Sequence, residues 1–181
     1  MNVKALLICS ALLLPVIPGS AQNTEISAKS ADAWTPFRFL VGDWVGKGSG
    51  KPGEGSGYFS FAFDLGGKIL VRKNHSEYPP KPGEKTGIVH DDLLILYSKA
   101  GGAYSAIYFD NEGHVIAYKI PKAETGNIIF ESEGTEKEMR FRLTYDFKPD
   151  GGVDVGFAMA APGQDFKPYL SGLAYRKPAA H

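Results

Sequence analysis

The sequence predicts an all-β fold, a single antiparallel up-and-down β-barrel of about nine or ten strands with a short N-terminal helical turn plugging one end. Three observations predict it. Residues 44–176 run as short alternating apolar and polar segments, parted by turns rich in Gly, Asn and Asp. No stretch in that span carries a convincing amphipathic helix period. With no helix to cover them, the sheet edges must close on one another, and small barrels of this kind commonly hold one small ligand.

The first residues read as an address. Lys4 supplies a basic start, residues 5–16 are a short apolar run, and Pro18-Gly19-Ser20-Ala21 offers the small residues that a signal peptidase requires, so residues 1–21 are expected to be a signal peptide cleaved after Ala21. The run is too short to span a bilayer as a helix. Cys9 is not a lipidation site by this reading, because Ile8 stands where a small residue is needed. Cleavage would remove the single cysteine, leaving roughly 160 residues that must rely on a packed core rather than on disulfides. The expected location is the periplasm or the exterior.

Residues 22–33 are polar and unpatterned, which suits a flexible lead into a barrel domain spanning residues 34–178. Thr35-Pro36-Phe37-Arg38-Phe39-Leu40 has Pro36 early and Phe37 and Leu40 spaced to cover the end of a core, the signature of a helical turn at one barrel mouth. Phe59, Phe61 and Phe63 then share one face of a strand. Leu65-Gly66-Gly67-Lys68 turns the chain back into a strand over residues 69–78, the clearest hairpin in the sequence.

Further strands are expected over residues 93–97, 103–109, 115–120, 128–132, 139–147, 153–159 and 169–175. Their connections carry turn chemistry, as in Asp110-Asn111-Glu112-Gly113 and Pro149-Asp150-Gly151-Gly152. Met139, Phe141, Leu143, Tyr145 and Phe147 alternate with Arg140, Arg142, Thr144 and Asp146, so one face is buried and the other wet. Lys and Arg total 20, Asp and Glu also 20, and neither sign forms blocks. That balance gives no electrostatic case for nucleic acid or for an anionic membrane, and no membrane insertion of the mature chain is expected.

Phe39-Leu40-Val41-Gly42-Asp43-Trp44-Val45-Gly46-Lys47-Gly48-Ser49-Gly50 is a hydrophobic turn running into a Gly-x-Trp-x-Gly-x-Gly strand. It resembles the opening of nitrobindin-like and other lipocalin-like (calycin-type) barrels, in which the tryptophan closes the barrel floor. A glycine-rich phosphate loop would need a strand before it and a helix after it, and neither is predicted here. The stretches Leu70-Val71-Arg72-Lys73-Asn74-His75-Ser76-Glu77-Tyr78-Pro79, His90-Asp91-Asp92-Leu93, Tyr108-Phe109-Asp110-Asn111-Glu112-Gly113-His114-Val115-Ile116 and Pro168-Tyr169-Leu170-Ser171-Gly172 extend the resemblance to exported bacterial proteins of that lipocalin-like set without an assigned activity.

Nitrobindins hold ferric haem through a histidine that opens the last strand, in a pattern like His-Leu-x-Ala-x-Leu. Here Tyr169-Leu170-Ser171-Gly172-Leu173-Ala174 stands in that place, with Tyr169 at the histidine position. The resemblance thus implies Tyr169 as the axial ligand if haem binds. A tyrosinate ligand needs a neighbouring cation to lower a pKa of about 10. The competing reading packs Tyr169 at the barrel rim with its hydroxyl in water.

Among the polar candidates, Arg72 shares a strand face with Leu70, so its guanidinium lies either in solvent or inside the barrel. An interior arginine must be paired with Asp or Glu or must bind an anion. A pocket holding Arg72, Tyr108 and Tyr118 would suit an amphipathic carboxylate. His75, His90 and His114 each stand beside carboxylates, which raises zinc binding or general-base chemistry, yet no pair has metal-ligand spacing. No metal site is expected.

The reading that follows is a barrel binding a small hydrophobic or amphipathic molecule in its interior, with Trp44, Arg72, His75, Tyr108, His114, Tyr118 and Tyr169 as the candidate contacts. No cofactor follows from the residues themselves; haem enters through the resemblance. Two alternatives stand beside it. One is a haem-binding barrel or an enzyme using His75 or Arg72. The other is a filled barrel whose loops, such as residues 79–90, contact a partner.

Overall fold

The computed structural model describes residues 33–46, 55–80 and 82–178. The expected signal peptide, all of the lead except Ala33, and Lys47-Gly48-Ser49-Gly50 lie outside the described residues. Ten strands follow one 3-10 turn (Thr35–Leu40): β1 (Gly42–Gly46), β2 (Ser56–Asp64), β3 (Ile69–Tyr78), β4 (Ile88–Ser98), β5 (Tyr104–Asp110), β6 (Val115–Glu124), β7 (Asn127–Ser132), β8 (Arg140–Phe147), β9 (Val153–Ala160) and β10 (Lys167–Arg176). Each pairs antiparallel with its sequence neighbour, and β1 pairs with β10 through Trp44↔Arg176, Val45↔Tyr175 and Gly46↔Ala174. The result is a closed ten-stranded meander, consistent with the lipocalin-like fold expected.

Alternation sorts the side chains. Leu70 and Arg72 on β3, Leu94 and Leu96 on β4, Ile128 and Phe130 on β7, and Leu143 and Tyr145 on β8 are buried at every second position. The β2–β3 reversal is made by Leu65, Gly66 and Gly67 at φ of 48°, 65° and 82°, with the Asp64 carboxylate accepting the Leu65 N–H at 2.6 Å. Gly57 serves close approach: a Cβ there would stand 2.2 Å from the His75 carbonyl oxygen, so only glycine lets β2 coil this tightly on β3.

Three segments are longer than the alternation suggests. β4 starts at Ile88 because the β3–β4 ladder continues without a break from Ile69↔Tyr97 to Tyr78↔Ile88. Ile88, Val89 and His90 therefore belong to a strand and not to the proline-rich loop. β6 runs through Pro121 to Glu124, and a register shift between Lys119 and Lys122 absorbs the proline's missing donor. β10 starts at Lys167 and bulges between Pro168 and Leu170, leaving Tyr169 as the extra residue.

One end of the barrel is a floor. Trp34, Phe37, Leu40 and Trp44 are at most 1% exposed. Phe37 meets the Tyr104 ring edge-on at 4.9 Å, the Tyr104 hydroxyl donates to the Ala33 carbonyl, and the Trp34 indole N–H donates to the Gly67 carbonyl at 2.9 Å. Arg176 latches the floor to the last strand. Its guanidinium lies 4.6 Å over the Trp44 ring and donates to the Phe39 and Val41 carbonyls at 2.8 and 2.7 Å.

The middle is filled as well. Phe59, Phe61, Phe130 and Tyr145 pack in edge-to-face pairs at 5.4–6.1 Å, and none is more than 6% exposed. The interior expected from the sequence to be hollow is thus occupied by side chains at the floor and centre, because inward aromatic residues from opposite strands meet across the axis.

Candidate functional site: the polar layer under the barrel mouth

At the other end the inward positions change character. Continuing the same alternation beyond the core brings Asn74 and Ser76 of β3, His90 and Asp92 of β4, and Tyr108 and Asp110 of β5 to the inner wall. Asn74, Asp92 and Asp110 are direct partners across three adjacent strands. The opposite wall is apolar, with Ile116 of β6, Phe141 of β8 and Val155 and Phe157 of β9; Phe141 and Phe157 stack at 6.1 Å. Asn74, Tyr108, Ile116, Phe141 and Phe157 are half-buried although they face inward, so solvent reaches them from the mouth.

Two carboxylates facing each other across a sheet would repel, and both are 4% exposed. Each is instead held separately. Asp92 accepts from the Arg72 guanidinium at 2.8 Å and from the Asn74 amide at 3.0 Å. Asp110 accepts from the Glu112 and His114 backbone N–H groups at 3.0 and 2.8 Å and pairs with the His114 ring at 2.8 Å. Burial alone would raise the Asp110 pKa, but the His114 and Glu112 contacts outweigh it and hold that carboxyl below its ordinary range.

His90 joins these groups. Its Nε2 lies 2.9 Å from the Tyr108 hydroxyl and 3.5 Å from Asp92, and its Nδ1 lies 3.2 Å from Glu112. Asp92 is the largest cause, ahead of an opposing desolvation, of a pKa pushed up to about 9. A protonated His90 donates to the Tyr108 oxygen, which in turn donates to Asp110 at 3.3 Å. Burial raises the phenol pKa of Tyr108, Tyr118 and Tyr145 well above the usual value, so all three stay neutral at working pH.

Arg72 sits at the centre of the layer, 5% exposed, with its guanidinium 5.8 Å from the Phe59 ring centroid and 6.0 Å from that of Tyr145. Of the two sequence readings for an interior arginine, the pairing with an internal acid is what forms. Two donors in this layer have no partner: the Arg72 Nε–H and the Tyr145 hydroxyl, both buried. A buried unsatisfied polar group costs roughly 1–3 kcal/mol. The layer therefore carries hydrogen-bonding capacity that the fold leaves unused.

Of the sequence-predicted contacts, Arg72, Tyr108 and Tyr118 are brought together here. Trp44 lies in the floor, its indole N–H taken by the Leu40 carbonyl at 2.8 Å. His75 is on the outer surface between Asp91 and Glu77, at 2.6 and 3.0 Å, stacked on Tyr58. It differs from Arg72 by an odd number of positions, so the two cannot share a face of β3. His114 is in the β5–β6 turn and touches the layer only through Asp110. Asp92, Asn74, His90 and Tyr145 complete the layer and were not singled out as contacts from sequence, although the alternation that places Leu94 and Leu96 inward also points to Asp92 and His90.

Tyr169 stands at the rim, 62% exposed, its ring edge-on to Phe157 at 6.3 Å. A tyrosinate haem ligand needs a cation beside it, and the two arginines of β8, Arg140 and Arg142, are instead stacked over the Phe166 ring at 5.0 and 3.9 Å, which fits that role poorly. Among the described residues no three His, Cys, Asp or Glu side chains form a metal-binding group. A groove of about 380 Å³ runs over the outer face of β7–β10. Among its polar groups Thr144 donates to the Gly156 carbonyl at 3.3 Å and Asp146 accepts from Lys148 at 2.6 Å, while the buried Asn127 Oδ1 has no partner. Compared with known proteins, the chain matches no family model and no curated protein.

Proposed function

We propose that the protein is exported and binds a small hydrophobic or amphipathic molecule in the mouth half of its barrel. The apolar part would lie on the Phe141 and Phe157 wall, with the polar end on the layer of Arg72, Tyr108 and Tyr118. The observation that carries this reading is the pair of buried donors without an acceptor, Arg72 Nε–H and Tyr145 O–H, directly beneath half-buried inward side chains. A barrel needed only as a filled scaffold gains nothing from such groups. His75 and Arg72 face opposite sides of the wall, so an enzyme reading would rest on Arg72 without His75.

Native mass spectrometry of protein expressed from the full-length gene tests both halves of the proposal. The expected result is a chain beginning at Gln22 that retains an organic molecule released on denaturation. A chain that keeps its first residues sinks the export claim, and a ligand-free chain that also binds no amphipathic probe sinks the binding claim. The nitrobindin resemblance supplies a rival occupant: a Soret band after haem supplementation that Tyr169→Phe abolishes would replace the proposed molecule with haem.

A further inference from the structure

We infer that the polar layer recognises an uncharged oxygen acceptor, a carbonyl or hydroxyl group on an apolar chain, and discriminates against a carboxylate; the inference rests on the mouth being the ligand site. The Arg72 Nε–H can only donate and the Tyr145 hydroxyl can donate or accept, so a guest that completes both must bring lone pairs. They belong to adjoining side chains, the Arg72 guanidinium lying 6.0 Å from the Tyr145 ring centroid. An oxygen that enters this part of the layer from the mouth would complete one or both of them.

The charge of the layer argues for a neutral guest. Arg72 is matched by Asp92 at 2.8 Å and His90 by Glu112 at 3.2 Å, while Asp110 is held by the Glu112 and His114 backbone N–H groups at 3.0 and 2.8 Å. A carboxylate would add an uncompensated negative charge beside two buried carboxylates, or would have to strip Arg72 from Asp92. A carbonyl oxygen takes the free Nε–H and phenol O–H and leaves that ion pair intact. No protein group uses the Tyr145 hydroxyl, so its removal should affect the ligand and not the fold.

The test is calorimetric titration of the mature protein at neutral pH with methyl octyl ketone, decanoate and decane, repeated with Tyr145→Phe, alongside melting curves. The ketone is expected to bind about tenfold tighter than the other two, and Tyr145→Phe to remove about that tenfold without lowering the melting temperature or changing decane affinity. Tighter binding of decanoate overturns the inference while keeping the mouth as the binding site. Equal affinity for ketone and decane, or an unchanged ketone affinity in Tyr145→Phe, also overturns it and assigns the two donors to water. Binding of none of the three overturns both the inference and the reading of the mouth beneath it.

Discussion

The floor and the mouth of the barrel are built from the same ten strands by the same alternation, yet they treat polar groups in opposite ways. At the floor, each indole N–H has a backbone acceptor and Arg176 closes the carbonyls of Phe39 in the 3-10 turn and Val41 just after it, so little is left to offer a ligand. Under the mouth, inward positions carry Arg72, Asp92, His90 and Tyr108, and two buried donors go unpaired. The contrast teaches that satisfaction of polar groups, more than burial, separates the end that stabilises from the end that recognises.

The largest test of this division is Trp44→Ala, which should cost about 3–5 kcal/mol of stability through the cavity it opens in the floor. Denaturant titration would show a lowered midpoint with an unchanged slope, while the order of ligand preference stays the same. If ligand preference changes with the floor residue, the two ends are not independent.

Next in size is the ion pair between them. Asp92→Leu leaves Arg72 charged and buried, and should cost about 3 kcal/mol or more, whereas Arg72→Met with Asp92→Leu should recover most of that loss. Chemical denaturation of the wild type, the single variant and the double variant measures the difference. A double variant as unstable as the single one would mean that the layer holds the fold by more than charge pairing.

The smallest effect is a pH dependence at the rim of the layer. The folded pKa of His90, about 9, lies above the ordinary 6.5, so its stabilisation is complete below about pH 6.5 and disappears as pH rises through about 9. The melting-temperature difference between wild type and His90→Gln should therefore be greatest in mild acid and should vanish in alkali. A difference that grows with pH would show that His90 is neutral in the folded protein.

Much of this arrangement was legible in the chain. The turn residues located the hairpins, and Phe37 and Leu40 marked the floor plug. Period-two patterning identified the inward face of β8 at Phe141, Leu143 and Tyr145, whereas Met139, just before the strand, and Phe147, at its end, were expected on the same buried face and are 48% and 42% exposed. The long β4 was hidden because Ile88, Val89 and His90 follow a proline-rich stretch and end in two aspartates, a pattern that reads as loop until the β3 ladder is known to continue opposite it. His75 and His90 look alike in sequence, each a histidine flanked by acids. One lies outside between Asp91 and Glu77 and the other inside on Tyr108 and Asp92, a difference set by which face of the wall each residue presents.

By itself the sequence determined the all-β class, the closing meander, the plug and the inward aromatic residues, because each follows from local rules of alternation and turn chemistry that operate within a few residues. Only the tertiary structure decided that residues from β3, β4, β5, β6 and β8 meet at one height, that the aromatic centre is filled, and that two donors are left over there. The physical reason is that height along the barrel depends on strand register accumulated around the closed sheet, a property of all ten pairings together and of no single segment.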